Sequence, residues 1–368
     1  SDSTVSGQGI TRAYGITRAY DYDNSFHGMA GRVPAARLSA VLRKMAGDAR
    51  IAWVEPDVPI FSVDPKSETP AGGETKDFGN RQWIPWGVSS VAGDESWTIS
   101  GDGEGSVDVD VYVFDTGASH KDLNVAECID FTRGAAEACK GSATKDRNGH
   151  GTAVAGAIAA VDNRSGLVGT APGARIHAMK VLDDEGSASF STVIAAIEYV
   201  TERKLAQPAV PVVANVSLGA DIRTTDRSSL DHAVSASIAA GVTYVVAAGN
   251  EGVDASTITP AHVPEAITVG AYDDAGTFSS FSNFGSAVDL HAPGERVEVL
   301  ASGNGAAYAS GTSFAAPYVA GAAALVLARH PEMTPAEVRD VLVARTESGV
   351  SGVPAGTTDR QLNVRDLH

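Results

Sequence analysis

Short apolar runs of strand character recur along this chain with helix-like stretches between them, and this alternation limits the fold more than any other feature. The runs lie near residues 109–114, 175–182, 210–217, 242–248 and 266–271. Val107, Val109, Val111 and Val113 alternate up to Asp115, and Thr243 to Ala248 form an apolar run that ends at Gly249 and Asn250. Strand patterns alternating with helical patterns imply crossover connections and hence parallel neighbours. The predicted fold class is α/β: a doubly wound parallel sheet with flanking helices, its functional groups gathered at the carboxyl ends of the strands. Two helical stretches, Thr152 to Ala160 and Phe314 to Leu327, are built largely from small apolar residues.

Four chemically capable residues stand at the ends of these elements. Asp115 opens Asp-Thr-Gly, His150 lies in Asn148-Gly-His-Gly-Thr, Asn250 follows Ala247-Ala-Gly, and Ser313 lies in Ser310-Gly-Thr-Ser-Phe-Ala-Ala-Pro317. Any one of these strings alone is a turn, a surface loop or a helix start. Together they supply a hydroxyl nucleophile, an imidazole to take its proton and a carboxylate to orient the imidazole. A side-chain amide such as that of Asn250 is a suitable donor to the oxyanion that acyl transfer creates. Ser313 would also begin a helix, where the dipole favours developing negative charge.

The order Asp, His, Ser distinguishes this set from the two other common arrangements of the same groups. With these motifs the chain resembles the subtilisin-like serine proteases over nearly all of residues 81–345. The resemblance implies catalytic roles for Asp115, His150 and Ser313, and an oxyanion role for Asn250. The implied enzyme is an endopeptidase that hydrolyses proteins through an acyl-enzyme. A reading of another class is an inactive, protease-like binding protein held by its own N-terminal segment. An esterase reading lacks its Gly-x-Ser-x-Gly turn, because position 315 is Ala. The chain departs from the family pattern at Ala153, Phe314 and Tyr318, where a histidine, a methionine and a histidine are usual.

The same resemblance divides the chain into three parts. Residues 1–63 resemble the second half of a subtilase inhibitor prodomain, with strands from Ile16 to Tyr22 and Gly28 to Pro34, a helix from Ala35 to Ala46, and Ile51 to Val58 closing as a strand around Val54-Glu-Pro-Asp57. Residues 64–80, rich in Pro, Gly, Thr and charge, read as a linker, and residues 81–368 form the catalytic domain. Autocleavage is expected after Val63 with Ile60 in the fourth subsite; a cut nearer Gly79 or Asn80 is the alternative. A signal segment and an earlier half of the prodomain are expected ahead of Ser1. Gly9-Ile-Thr-Arg-Ala-Tyr14 recurs at once as Gly15-Ile-Thr-Arg-Ala-Tyr20, with no functional reading.

Extended substrates bind by adding a strand to enzyme edges. Ser217-Leu218-Gly219 matches one such edge and Gly186-Ser187-Ala188 the start of the other. Ala247, Ala248 and Gly249 match the first pocket, whose small residues imply a broad preference for apolar and aromatic side chains. Calcium is the implied cofactor, since it takes cages of carboxylate, amide and carbonyl oxygens. The matching ligands are Gln82, Asp122, Asn163 and the carbonyls of Val161, Ser165 and Leu167. A weaker site would use Asp289 with the carbonyls of Pro260 and His262.

The formal charge of −17 arises from 28 basic against 45 acidic residues. Residues 1–65 carry seven of each, so the whole excess belongs to the remainder. That excess argues against nucleic acid or an anionic membrane as partner, and leaves protein and peptide substrates and the chain's own prodomain. Arginines outnumber lysines 20 to 8, which suits either high salt or an ordinary acidic enzyme. Cys128 and Cys139 flank a polar loop and read as one local disulfide in a secreted monomer, with a free pair as the alternative.

Overall fold

The computed structural model describes residues 7–62, 75–76, 81–140, 145–223, 226–302, 305–365 and 367. Seven parallel strands form the central layer, in the spatial order Leu290–Pro293, Ile267–Tyr272, Thr243–Ala247, Val212–Val216, Asp110–Asp115, Arg175–Lys180 and Val125–Asp130. Short antiparallel pairings extend both edges: Glu137–Ala138 beyond Val125–Asp130, and Glu347–Ser348 with Arg360–Gln361 at the other end. The chain enters at Asp110–Asp115, works toward one edge, then returns through Val212–Val216 and builds toward the other. The order reverses between Asp110–Asp115 and Val212–Val216, and such a switch point opens a crevice at the carboxyl ends of the strands.

All five expected strands are present, each within two residues of its expected bounds. Val125–Asp130 and Leu290–Pro293 join the same sheet without having been anticipated. The first is only partly buried, and the second reads Leu-His-Ala-Pro, which has no apolar run. The expected strand from Ile51 to Val58 is a correction. That segment is irregular and the strand falls later, at Pro59–Ser62. Residues 51–58 pair with no strand among the described residues, and their polar groups serve other ends: Val58 O accepts the Phe190 N–H.

The two small-residue helices lie against the sheet. His150–Ala159 is buried along its whole length, and Thr312–Arg329 is buried from Thr312 to Leu327. The latter is apolar enough to cross a membrane by composition, but it packs inside the protein. Pro317 sits within its second turn and cannot donate to the Ser313 carbonyl. That carbonyl accepts the Ser217 hydroxyl instead, at 2.9 Å. The interruption therefore ties the start of the Thr312–Arg329 helix to the segment that leads into Leu218–Asp221.

His291 lies fully inside the sheet, edge-on to Phe278, with no hydrogen-bond partner on either ring nitrogen among the described residues. Burial pushes its pKa down to about 4. Between that value and the ordinary value near 6.5 the unfolded chain binds a proton that the folded chain does not. Its contribution to stability is therefore level above about pH 6.5 and falls as the pH drops toward 4, by up to about 3 kcal/mol. Urea unfolding at pH 7 and pH 4.5 is expected to show wild type losing more stability than His291→Leu over this interval. Equal losses in the two proteins would remove His291 as the cause.

Candidate active site

Asp115 ends the strand beside the switch point and is fully buried. His150 begins a helix after Gly149, whose φ of 95° turns the chain into it. His150 Nδ1 lies 2.7 and 2.8 Å from the two Asp115 carboxylate oxygens. The Thr116 N–H donates to Asp115 Oδ1 at 2.7 Å. Burial raises the Asp115 carboxyl above the ordinary carboxylate range, and His150 and this N–H oppose that rise. The arrangement puts the imidazole proton on Nδ1 and directs Nε2 away from the carboxylate.

A second buried carboxylate, Asp146, holds the His150 loop. It accepts the N–H of Gly149, both the N–H and the hydroxyl of Thr152, and the Thr116 hydroxyl, all at 2.8–2.9 Å. The Thr116 oxygen in turn accepts the Gly151 N–H. Sequence reasoning missed Asp146; its one signal is a carboxylate four residues before a helix whose N-cap, Gly149, has no side chain to offer. Gly151 is needed for close approach: a Cβ there would stand 2.0 Å from Gly117 O and 2.9 Å from Asp115 Oδ1.

Ser313 is the second residue of the Thr312–Arg329 helix and is buried. The Phe314 ring packs on the His150 ring with centroids 5.2 Å apart, which brings the start of the Ser313 helix to the imidazole. Asn250 Oδ1 accepts both the N–H and the hydroxyl of Thr312, at 2.8 and 2.9 Å. These bonds fix which end of the amide is oxygen and leave its NH2 as the end directed elsewhere. Asn283, also unanticipated, braces this loop through bonds with Ala248 O, Glu251 and the Val253 N–H. Ala247 and Ala248 are buried, and Gly249 takes a φ of 106°.

The two expected substrate edges face each other with the chain's own Pro59–Ser62 strand between them. Ser187, Ala188 and Ser189 pair antiparallel with Phe61, Ile60 and Pro59, while Leu218 and Gly219 pair with Ser62 and Phe61. Ser62 N donates to Gly186 O at 2.9 Å, and Ile60 is fully buried. Val63 lies outside the described residues. Further anchors lie along residues 20–57. Glu198 accepts the N–H groups of Asp23, Asn24 and Ser25. Asp57 accepts the Ser191 N–H, and Glu55 the Ser229 N–H, each near the start of a helix.

Most residues expected to hold calcium converge. Gln82–Trp83 pairs with Gly166–Leu167. The Gln82 amide donates to the carbonyls of Val161 and Leu167 and accepts the N–H groups of Asn163 and Arg164. Asp122 Oδ1 accepts the Asn163 amide at 2.7 Å, whereas Asp122 Oδ2 is buried without a partner. A buried carboxylate oxygen with nothing to satisfy it, next to converging carbonyls, fits an oxygen-seeking cation. The Ser165 N–H bonds Asn163 Oδ1.

The weaker site needs correction. Asp289 pairs with the Arg339 guanidinium, which also donates to Pro264 O at 2.8 Å, and the Thr268 N–H occupies the other carboxylate oxygen. The His262 side chain lies between Asp231 and Ser256 O. With Asp289's charge matched by Arg339, Asp289, Pro260 and His262 assemble no metal cage. Cys128 and Cys139 form a disulfide, with Cα atoms 5.3 Å apart.

Known proteins agree with this geometry. The Subtilase family profile matches residues 107–362. Subtilisin DY of Bacillus licheniformis is 37% identical over 266 residues, spanning 71% of this chain and 90% of its own. The subtilisin of Bacillus pumilus is 39% identical over 267 residues, with the same coverage. A crystal structure of a cold adapted subtilisin-like serine proteinase is 34% identical with a TM-score of 0.63, covering 76% of this chain and 97% of that one. The chain belongs to the subtilase family and is a serine endopeptidase.

Replacing Gly151 with Ala forces the His150 helix away from Gly117. Displacements of about 1 Å at reacting groups cost on the order of 10²-fold, so Gly151→Ala is expected to lower kcat/KM by about that much while retaining native circular dichroism. Full activity in a folded Gly151→Ala protein would contradict the close-approach argument.

Proposed function

We propose that Ser313, His150, Asp115 and Asn250 carry out peptide-bond hydrolysis through an acyl-enzyme. Ser313 Oγ attacks the scissile carbonyl and His150 Nε2 takes its proton. Asp115 steadies the imidazolium that forms. The Asn250 amide and the helix N-terminus at Thr312 stabilise the oxyanion. His150 then returns the proton to the leaving amine, and water repeats the sequence to release the acyl group. The first pocket, bounded by Ala247, Ala248 and Gly249, admits apolar and aromatic side chains broadly.

Residues 1–63 act as a prodomain that blocks the site until the bond after Val63 is cut, residues 64–80 serve as linker, and residues 81–368 are the catalytic domain of a secreted monomer. One observation carries this reading: Pro59–Ser62 lies antiparallel between the Ser187–Ser189 and Leu218–Gly219 edges, in the manner of a substrate strand. Its direction brings Ser62 against Gly186, which supports cleavage after the residue that follows. Calcium, when bound, would be held by Gln82, Asp122, Asn163 and the carbonyls of Val161 and Leu167, and would supply structural cross-linking of these segments.

Intact-mass analysis and N-terminal sequencing over time test the processing. Wild type is expected to lose residues 1–63 and Ser313→Ala to remain whole. A cut at Gly79 or Asn80 would relocate the boundary, and equal processing of both proteins would remove Ser313 as the nucleophile of the event. For calcium, added Ca²⁺ is expected to raise the melting temperature of wild type by several degrees through preferential binding to the folded state, and to leave Asp122→Ala nearly unmoved. No shift in wild type would dismiss the site.

A further inference from the structure

Lysine is scarce in this chain and its placement is uneven. Residues 81–365 contain five lysines. Lys180 and Lys204 are buried and use their donors internally, Lys180 on Thr116 O, Leu182 O and Asp184, and Lys204 on Pro208 O and Val210 O. The other three, Lys121, Lys140 and Lys145, are exposed and carry no ion pair among the described residues. Two of the three stand at one cavity of about 810 Å³. Lys121 and Lys145 line it, and Lys140 follows Cys139, whose disulfide with Cys128 forms part of the wall.

The carboxylates in the same wall do not offset these charges at the mouth. Asp146 is buried, with its oxygens taken up by Thr116, Gly149 and Thr152. Glu127 is engaged by His177 Nδ1 at 2.8 Å, by the Tyr199 hydroxyl and by Arg203. His120 supplies a second observation. Its Nδ1 accepts the Asp122 N–H, which leaves the ring proton on Nε2, and Nε2 is buried with no partner among the described residues. The cavity thus combines two lining ammonium groups with a lining histidine, in a protein whose net charge is −17.

Its position relates it to the cleft. The loop before His150 has two faces. Arg147 and Asn148 meet Asp184 on the side of the Gly186 edge, while Lys145 and Asp146 face the cavity, opposite Ala118 and Ser119 beyond Asp115. We propose that this cavity is a secondary docking site for acidic segments of protein substrates, engaging residues that follow the scissile bond. The inference rests on Pro59–Ser62 marking the substrate path, and takes a chain continuing beyond Ser62 to pass His150 on the Lys145 side of this loop. Exposed charge pairs of this kind act mainly on binding and encounter, and they fade with salt.

The test uses two peptides with one cleavage sequence, one carrying a neutral tail after the scissile bond and the other a tail of four acidic residues. At low ionic strength, wild type is expected to show a KM about five- to tenfold lower for the acidic tail. That advantage should vanish in Lys121→Gln/Lys145→Gln and in 1 M salt, and reverse in Lys121→Glu/Lys145→Glu. The kcat on the neutral peptide should stay the same in all three proteins. Cleavage of both peptides with equal KM by wild type, or an advantage that survives charge reversal, overturns the docking site alone. Cleavage of neither peptide by wild type defeats the substrate-path reading and the docking site with it.

Discussion

A carboxylate without access to water ends the strand beside the switch point, and the surroundings of the active site serve to keep it charged and aligned. An unpaired buried charge is costly, so Asp115 depends on partners that remain in place. The His150 imidazole and the Thr116 N–H provide two of them. The loop carrying His150 is fixed by Asp146, which shares Thr116 with the Asp115 turn. Gly151 lets the helix come close enough for the pair to form. Removing any member leaves a buried polar group unmatched, which explains why a region of such small residues is also densely hydrogen-bonded.

The substrate edges are tied to the same centre. Pro317 releases the Ser313 carbonyl from its helix, Ser217 takes it up, and the edge strand begins one residue later at Leu218. The proposed peptide-binding edge and the Ser313 helix are therefore one mechanical unit. The N-terminal segment uses this unit as an extended peptide would, by main-chain pairing, while Glu55, Asp57 and the Glu198 cradle carry its weight outside the cleft. Main-chain pairing accepts many sequences and leaves selection to pockets and peripheral charges. Peripheral charges such as Lys121 and Lys145 beyond the His150 loop are therefore where the proposed selection among protein substrates would act.

The parts legible in the sequence are those set by local pattern. Five parallel strands, both small-residue helices, the Asp115, His150, Asn250 and Ser313 motifs and the cysteine pair all follow from period, spacing or short strings. Val125–Asp130 and Leu290–Pro293 were not legible, because sheet neighbours rather than composition make them strands. Asp146 and Asn283 were not legible either, since a bracing role depends on which backbone groups fold around a polar side chain. Asp289 illustrates the reverse error. Its position suggested a metal ligand, yet Arg339, fifty residues further along the chain, supplies the cation.

The hexapeptide Gly-Ile-Thr-Arg-Ala-Tyr separates the two kinds of information. Its first copy lies within the helix Gly7–Tyr14, and its second, beginning one residue later, leads into the strand Thr17–Tyr22. Identical residues give both because local preferences in six residues are worth little beside tertiary partners. The second copy pairs with Gly28–Arg32, and its Tyr20 reaches Phe131 O. The sequence by itself determined the class of sheet and the chemical groups at its edge, through periodicities and motifs that need no distant contact. Only the tertiary structure decided which carboxylates became braces, which were neutralised, and which of two identical segments became a strand, because each outcome depends on what the folded chain brings alongside.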